Sequence, residues 1–378
     1  MIYILPKSVY VHIPFCKSKC LYCGFFSKPP AQYDIEKLLN AEIYELKNSH
    51  FQKPLDTLYI GGGSPASIGA PALCMFLSEI LNHTGKVQEF TIEINPADVN
   101  ELFLHKLFEI GVNRISIGIQ SFNDDELVFL GRRYSPRQAE QIIALCKKIG
   151  FSNISIDLIF AVPGSNLNGW RQTLAKAVRN DVQHLSAYSL TYETDTPLEK
   201  IKSAGKLKPV SEELDRKMYE AAIETLADAG FEHYEISNFA KPGFECKHNL
   251  TYWKNDFYIG IGPAACGYIK DCRIENISDI AKYIESIEQN KDAAVEKLEI
   301  SPFEKASQTA VLGLRLINGI DLIEYRNKTG FDIFELFKDS IDKNLKSNLL
   351  RIKDNRLSLS EQAVPIADSV LCDFANPD

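Results

Sequence analysis

Three cysteines, Cys16, Cys20 and Cys23, fall within eight positions of one another in the stretch "VYVHIPFCKSKCLYCGFFSKPP". Thiolates so spaced on a loop can curl around a single metal centre. A structural zinc ion wants four ligands, and three cysteines leave it one short. A histidine such as His12 could complete the set, but it lies within the preceding strand-like segment. An iron–sulfur cube also normally takes four cysteines. Offered three, it keeps one iron open for another ligand, as a catalytic zinc site keeps a free position.

A loop with that task needs rigid elements on either side. Strand-like segments at 8–14, 55–63, 87–96, 114–121, 153–164 and 184–193 alternate with helical patterns at 33–48, 71–83, 99–110, 136–149 and 168–180. Gly111 and Gly150 stop two of those helices. Strict β–α alternation predicts an α/β fold with a parallel sheet and helices outside it. An open doubly wound sheet and a partial barrel both fit. Polar residues recur at or just past the strand C-terminal ends: Gly62 to Ser64, Glu93 and Asn95, Gln120 and Ser121, Asp157. A barrel collects its site from several strands in that way, whereas a doubly wound sheet concentrates it at one switch point.

Past residue 195 the rhythm changes. A helix is expected over 211–229, followed by the aromatic and glycine-rich run "YEISNFAKPGFECKHNLTYWKNDFYIGIGPAACGY", expected to cover one face of the sheet. From about 303 come helices and then "LLRIKDNRLSLS", a hairpin turning at Lys353-Asp354-Asn355. Together they predict a small α+β, winged-helix-like tail. The expected division is a barrel over 1–240, a covering segment over 241–295 and the tail over 296–378.

The bulk numbers describe a soluble globular chain of 378 residues, 45% hydrophobic and 24% charged. A net charge of −8 argues against a nucleic-acid surface. The basic stretch "DKNLKSNLLRIKDNR" reads as a solvated helix face and hairpin. No window is apolar enough to span a membrane, and "MIYILPKSVYVHIP" is not a signal peptide. The expected location is the cytosol, where nine cysteines do not form a disulfide framework.

The cysteine loop, the "GGGSP" after the second strand and the β–α alternation together resemble the radical S-adenosylmethionine (radical SAM) superfamily. The resemblance implies a partial (β/α)6, TIM-like barrel. It also implies a 4Fe-4S cluster on Cys16, Cys20 and Cys23, whose open iron chelates S-adenosylmethionine. Within the superfamily, "YVHIPFC", "IGGGSPA", "EINP", "ISIGIQSF", "LGR", "SAYSLTYETDTPL", "YEISNFAKPG" and "HNLTYW" resemble the oxygen-independent coproporphyrinogen oxidase-like family over nearly the whole chain. The roles this implies place Tyr10 beside the methionyl group and Tyr22 on the adenine side. Gly62, Gly63 and Ser64 approach the amino group, and Glu93, Gln120, Arg132 and Asp157 complete the pocket.

The porphyrinogen-processing members carry C-x3-C-x2-C-x-C. Here the last position is Phe25, and residues 248–253 read His-Asn-Leu-Thr-Tyr-Trp. Both features resemble the HemW-type haem chaperones. That resemblance implies haem or porphyrin as cargo, an acceptor haem protein, and a reductant such as flavodoxin or ferredoxin. It makes His248 a candidate haem contact, since a neutral imidazole ligates haem iron and Tyr252 and Trp253 offer flat apolar faces. The rival implication is radical decarboxylation of coproporphyrinogen III. Tyr134, "AVPGS" at 161–165 and Cys266 depart from the family pattern. Cys266 is expected to be a buried thiol.

Overall fold

The six expected strands all form. In the computed structural model of the chain, which describes residues 4–375, they are β1 (Ser8–Ile13), β2 (Leu55–Gly62), β3 (Val87–Ile94), β4 (Arg114–Gln120), β5 (Ile154–Phe160) and β6 (His184–Ser189). Each pairs in parallel with the next. One face of every strand is apolar. Val9, Val11 and Ile13, Leu58 and Ile60, Phe90 and Ile92, Ile115, Ile117 and Ile119, Ile154, Ile156 and Leu158 are all at most 1% exposed. The connecting helices cover that face, and each such side chain buried contributes about 1.5–3 kcal/mol. The helices begin where side chains satisfy their free N–H groups. Asp34 accepts from Lys37 N, Asn100 from Phe103 N, and Ser135 closes a capping box with Gln138. Gly111 and Gly150 end two of them in the left-handed conformation, as expected.

The sheet is larger than the six strands. Its order is β7-β8-β6-β5-β4-β3-β2-β1-β9, with β7 (Glu232–Glu235) and β8 (Asn238–Ala240) an antiparallel addition beyond β6. At the other edge β9 (Ile259–Ile261) runs parallel to β1. The segment expected to lie over one face therefore extends both edges. Strands of three or four residues carry too few periods to be read from alternation. Added there, they cover edges that an incomplete barrel leaves open.

Between β8 and β9 the helix Lys247–Trp253 lies against the N-terminal ends of β2 and β3. It closes the end of the barrel opposite the cysteine loop. A separate antiparallel sheet of Cys266–Ile269, Cys272–Asn276 and Ala294–Glu299 follows. The tail holds the helices Pro302–Gly313, Leu322–Thr329 and Lys338–Lys346. Its hairpin pairs Leu350–Lys353 with Arg356–Leu359, and Ile320–Asp321 adds a third strand. Asp354 and Asn355 make the turn with φ of 48° and 59°, a conformation that suits Asp and Asn.

Candidate functional site

The loop between β1 and the first long helix is pinned at both ends. Cys16 N–H donates to Lys28 O at 3.1 Å, and Lys28 N–H donates to Pro14 O at 2.9 Å. Phe15 O accepts from Ser64 N at 2.7 Å and from Ser67 Oγ at 3.0 Å. The glycine run at the end of β2 passes directly against it. A Cβ on Gly63 would stand 2.2 Å from Phe15 O and 3.0 Å from Cys16 Sγ, so only glycine fits. His12 sits behind the loop, with Nε2 hydrogen-bonded to Phe26 O at 2.9 Å and Nδ1 to Tyr10 OH at 3.0 Å. Both ring nitrogens are thereby engaged, and His12 braces the loop instead of completing a metal site.

Cys16, Cys20 and Cys23 open into one cavity of about 1120 Å³, together with Tyr22, Gly62, Gly63, Ser64, Glu93, Gln120, Arg132 and Asp157. Most of them come from the ends of different strands, as a barrel requires, with Asp157 mid-way along β5 and Arg132 on the turn that follows the short helix Asp124–Phe129. Tyr10 stands behind them, its ring 6.1 Å from that of Tyr59, which does line the cavity. Gln120 ends β4 with φ of 67°, an unusual conformation for its residue type, beside a register shift in the β4–β5 ladder. Backbone strain of that kind clusters at functional sites. Ser64 Oγ donates to Asp98 Oδ2 at 2.7 Å, and Lys17 pairs with the same carboxylate at 3.0 Å.

The cavity's charges are arranged in layers. Tyr59 OH donates to Glu93 Oε1 at 2.8 Å, yet burial, reinforced by Asp157, still pushes the Glu93 pKa up to about 7. Burial also raises Asp157, which accepts from Ser186 Oγ at 2.8 Å. Arg132 directs Nη1 at Cys20 Sγ, 3.3 Å away, and Nη2 at Gly118 O, 2.6 Å away. Tyr134, one of the departures from the family pattern, accepts from Arg132 Nε at 3.0 Å and donates to Gly118 O.

Three thiols facing one cavity are a donor set that an iron–sulfur cube can use. Among the described residues no three His, Cys, Asp or Glu side chains gather around one metal position. A cube presents separate irons to separate thiols, so its ligands stand further apart than those of one ion. Burial raises the Cys16 thiol to about 11 and also raises Cys23. Coordination must displace those protons, and the Arg132 guanidinium beside Cys20 supplies compensating charge.

Two family descriptions match the chain: the radical SAM superfamily over residues 10–177 and the HemN C-terminal domain over residues 300–366. The chain is 33% identical to the heme chaperone HemW of Lactococcus lactis subsp. lactis over 99% of its own length and 98% of that protein's. It is 33% identical to the heme chaperone HemW of Bacillus subtilis, over 97% and 99%. The chain belongs to the HemW family. Its fold also matches coproporphyrinogen III oxidase (HemN) from Escherichia coli, with a TM-score of 0.84 over 99% of this chain and 91% of that one. At 19% identity that likeness shows the shared fold alone.

The second motif of this HemW-family chain lies elsewhere than expected. His248 is 1% exposed and does not line the cavity. Its Nδ1 is hydrogen-bonded to Thr57 Oγ1 and its Nε2 to Tyr252 OH, both at 2.7 Å. The ring stacks on Tyr59 at 5.1 Å, and burial, with Arg114 nearby, drives its pKa down to about 3. Both nitrogens are engaged, so the haem contact that the resemblance implies for His248 would require one of these bonds to break. From the same helix it is Asn249 that reaches the cavity wall. Cys266, expected to be buried, is exposed on the outer sheet.

Several lining residues lie deeper than the strand ends: Tyr59, Arg114, Ser116, Ser155, His184 and Ser186. The pattern that reveals them is in the strands themselves. Parallel strands buried on both faces read as near-continuous apolar runs. Here β4 reads Arg-Ile-Ser-Ile-Gly-Ile-Gln and β5 begins Ile-Ser-Ile-Asp. Every second residue is polar or glycine, so the inner face lines a wet cavity along its whole height.

Proposed function

We propose that this chain is a haem chaperone of the HemW type, working in the cytosol, and that it holds a 4Fe-4S cluster on Cys16, Cys20 and Cys23. Three cysteines suit a cluster that keeps one iron for S-adenosylmethionine. When bound, the cluster supplies that chelating iron and the electrons for reductive cleavage of S-adenosylmethionine, drawn from a donor such as flavodoxin or ferredoxin. The chain's own residues orient the cofactor. Glu93 accepts hydrogen bonds from its amino group, and the backbone of Gly62 and Gly63 allows close approach. Tyr22 covers the adenine, while Gln120, Asp157 and Arg132 bind its polar groups. Tyr10 supports this set through Tyr59.

The observation that carries the chaperone reading is Phe25. It is 71% exposed on the rim of the cysteine-lined cavity, where the porphyrinogen-processing relatives carry a fourth cysteine. An aromatic ring left in water contributes little to stability and is suited to a flat apolar ligand. The cavity also exceeds the roughly 300–1,000 Å³ of common ligand sites, leaving room for cargo beside a cofactor. Delivery to an acceptor haem protein needs an affinity matched to that acceptor.

The test is anaerobic. Cluster-reconstituted protein is expected to bind haem, to pass it to an apo-haem protein, and to leave coproporphyrinogen III unchanged in the presence of S-adenosylmethionine and reductant. Formation of protoporphyrinogen IX would make the chain an oxidase and end the chaperone reading.

A further inference from the structure

The end of the cavity remote from the cysteine loop holds a charge that the proposed cofactor does not use. Arg114, the first residue of β4, is 2% exposed and lines the cavity. Among the described residues no carboxylate forms an ion pair with its guanidinium, and its Nε is buried without an acceptor. Its field reaches Glu93 and Asp157, and the carboxylate that acts on it most is Glu89. That group is already committed, with Oε2 accepting from Lys247 N at 3.0 Å and Oε1 from His248 N at 3.1 Å. It caps the helix that closes the barrel. An unpaired buried guanidinium is strongly unfavourable unless something pairs with it.

Its surroundings narrow what that partner is. Asn249, on the closing helix, and Arg315, entering from the C-terminal part of the chain, line the same cavity. Arg315 Nε is also buried without an acceptor, and its guanidinium lies over the Trp253 ring at 4.6 Å. Arg315 also reaches the buried Glu235 carboxylate at 4.0 Å, so the donors left without a protein acceptor here are the Nε groups of Arg114 and Arg315. Glu93 and Asp157 share the cavity, so a group with one negative charge is tolerated better than a doubly charged phosphate. The planar fork of an arginine matches a carboxylate, which it binds bidentately.

We infer that Arg114, in the cavity that Asn249 and Arg315 also line, forms a carboxylate-binding subsite that anchors an acidic side chain of the cargo. The inference rests on the porphyrin reading above, because haem carries two such carboxylates. It places an acidic edge of the cargo at the cavity's depth, with Phe25 at the rim and the cofactor beside the cargo at the cysteine loop.

The experiment titrates the full, cluster-reconstituted chain anaerobically with haem and with haem dimethyl ester, in which both carboxylates are capped. The wild type is expected to prefer haem by about tenfold or more, the worth of a charge-assisted hydrogen-bond pair. Arg114→Met should bind haem as weakly as the ester, and Arg114→Lys should fall between. Equal wild-type affinity for the two ligands, or a preference that survives in Arg114→Met, overturns the subsite while leaving haem binding intact. Wild-type protein that binds neither ligand removes the porphyrin reading and this inference with it. If Arg114→Met does not melt cooperatively, the wild-type comparison and the Arg114→Lys variant decide the matter.

Discussion

Replacing His248 with alanine should damage the fold and spare haem spectroscopy. The side chain is 1% exposed and hydrogen-bonded through both nitrogens. Truncation leaves the hydroxyls of Thr57 and Tyr252 short of a partner and opens a ring-sized void beneath Tyr59. Together these amount to about 4 kcal/mol. At about 2.1 cal/mol/K per residue, unfolding 378 residues carries an entropy of about 0.8 kcal/mol/K, so the melting temperature should fall by about 5 °C. The position and intensity of the haem Soret band should not change. A pH series adds a second readout. The His248 pKa drops from 6.5 to about 3 on folding, so between those values the unfolded state binds more protons. Stability should therefore fall as pH drops through that window, and His248→Gln should lose this component. Glu93, raised to about 7 in the folded state, acts in the opposite sense: its contribution is present below 4.5 and lost as pH rises through 7. The wild-type-minus-variant difference isolates the histidine. A shifted Soret band in His248→Ala with an unchanged melt would refute the reasoning, because the ring would then be serving iron and not the barrel.

Other outcomes follow from the same geometry. Gly63→Ala should displace the cysteine loop, since the added carbon would stand 2.2 Å from Phe15 O; iron per chain after reconstitution should drop sharply, and wild-type iron content would contradict the close packing. Glu93→Gln should weaken S-adenosylmethionine binding about tenfold. In the wild type that affinity should rise as pH passes through about 7, where Glu93 ionises, and calorimetry on the variant should show the rise gone. Phe25→Ala should leave the melting temperature within about 1 °C, because the ring is 71% exposed, while weakening haem binding roughly fivefold. Equal haem affinity in that variant would detach Phe25 from the cargo.

Much of this molecule is written in local pattern. Cys16, Cys20 and Cys23 lie close in the chain, so their loop is legible before anything folds. The six main strands and their helices follow from alternation, from N-caps such as Asn100 and Ser135, and from Gly111 and Gly150, because each signal acts within a few residues. The convergence of Glu93 and Gln120 is also foreshadowed, since each sits at the end of a strand, whereas Asp157 lies mid-strand and Arg132 reaches the site from the turn after a short helix. Other features depend on partners far away in sequence. His248 looks like a ligand in its motif and becomes a buried brace only because Thr57, 191 residues away, meets its Nδ1. Arg114 looks like the start of an ordinary strand. It becomes an unpaired buried charge only when Glu89 turns to cap a helix from another part of the chain. The sequence by itself determined which strands form and where a cofactor loop lies. Tertiary structure alone decided which polar atoms keep a free valence, because that depends on which distant neighbours reach them first.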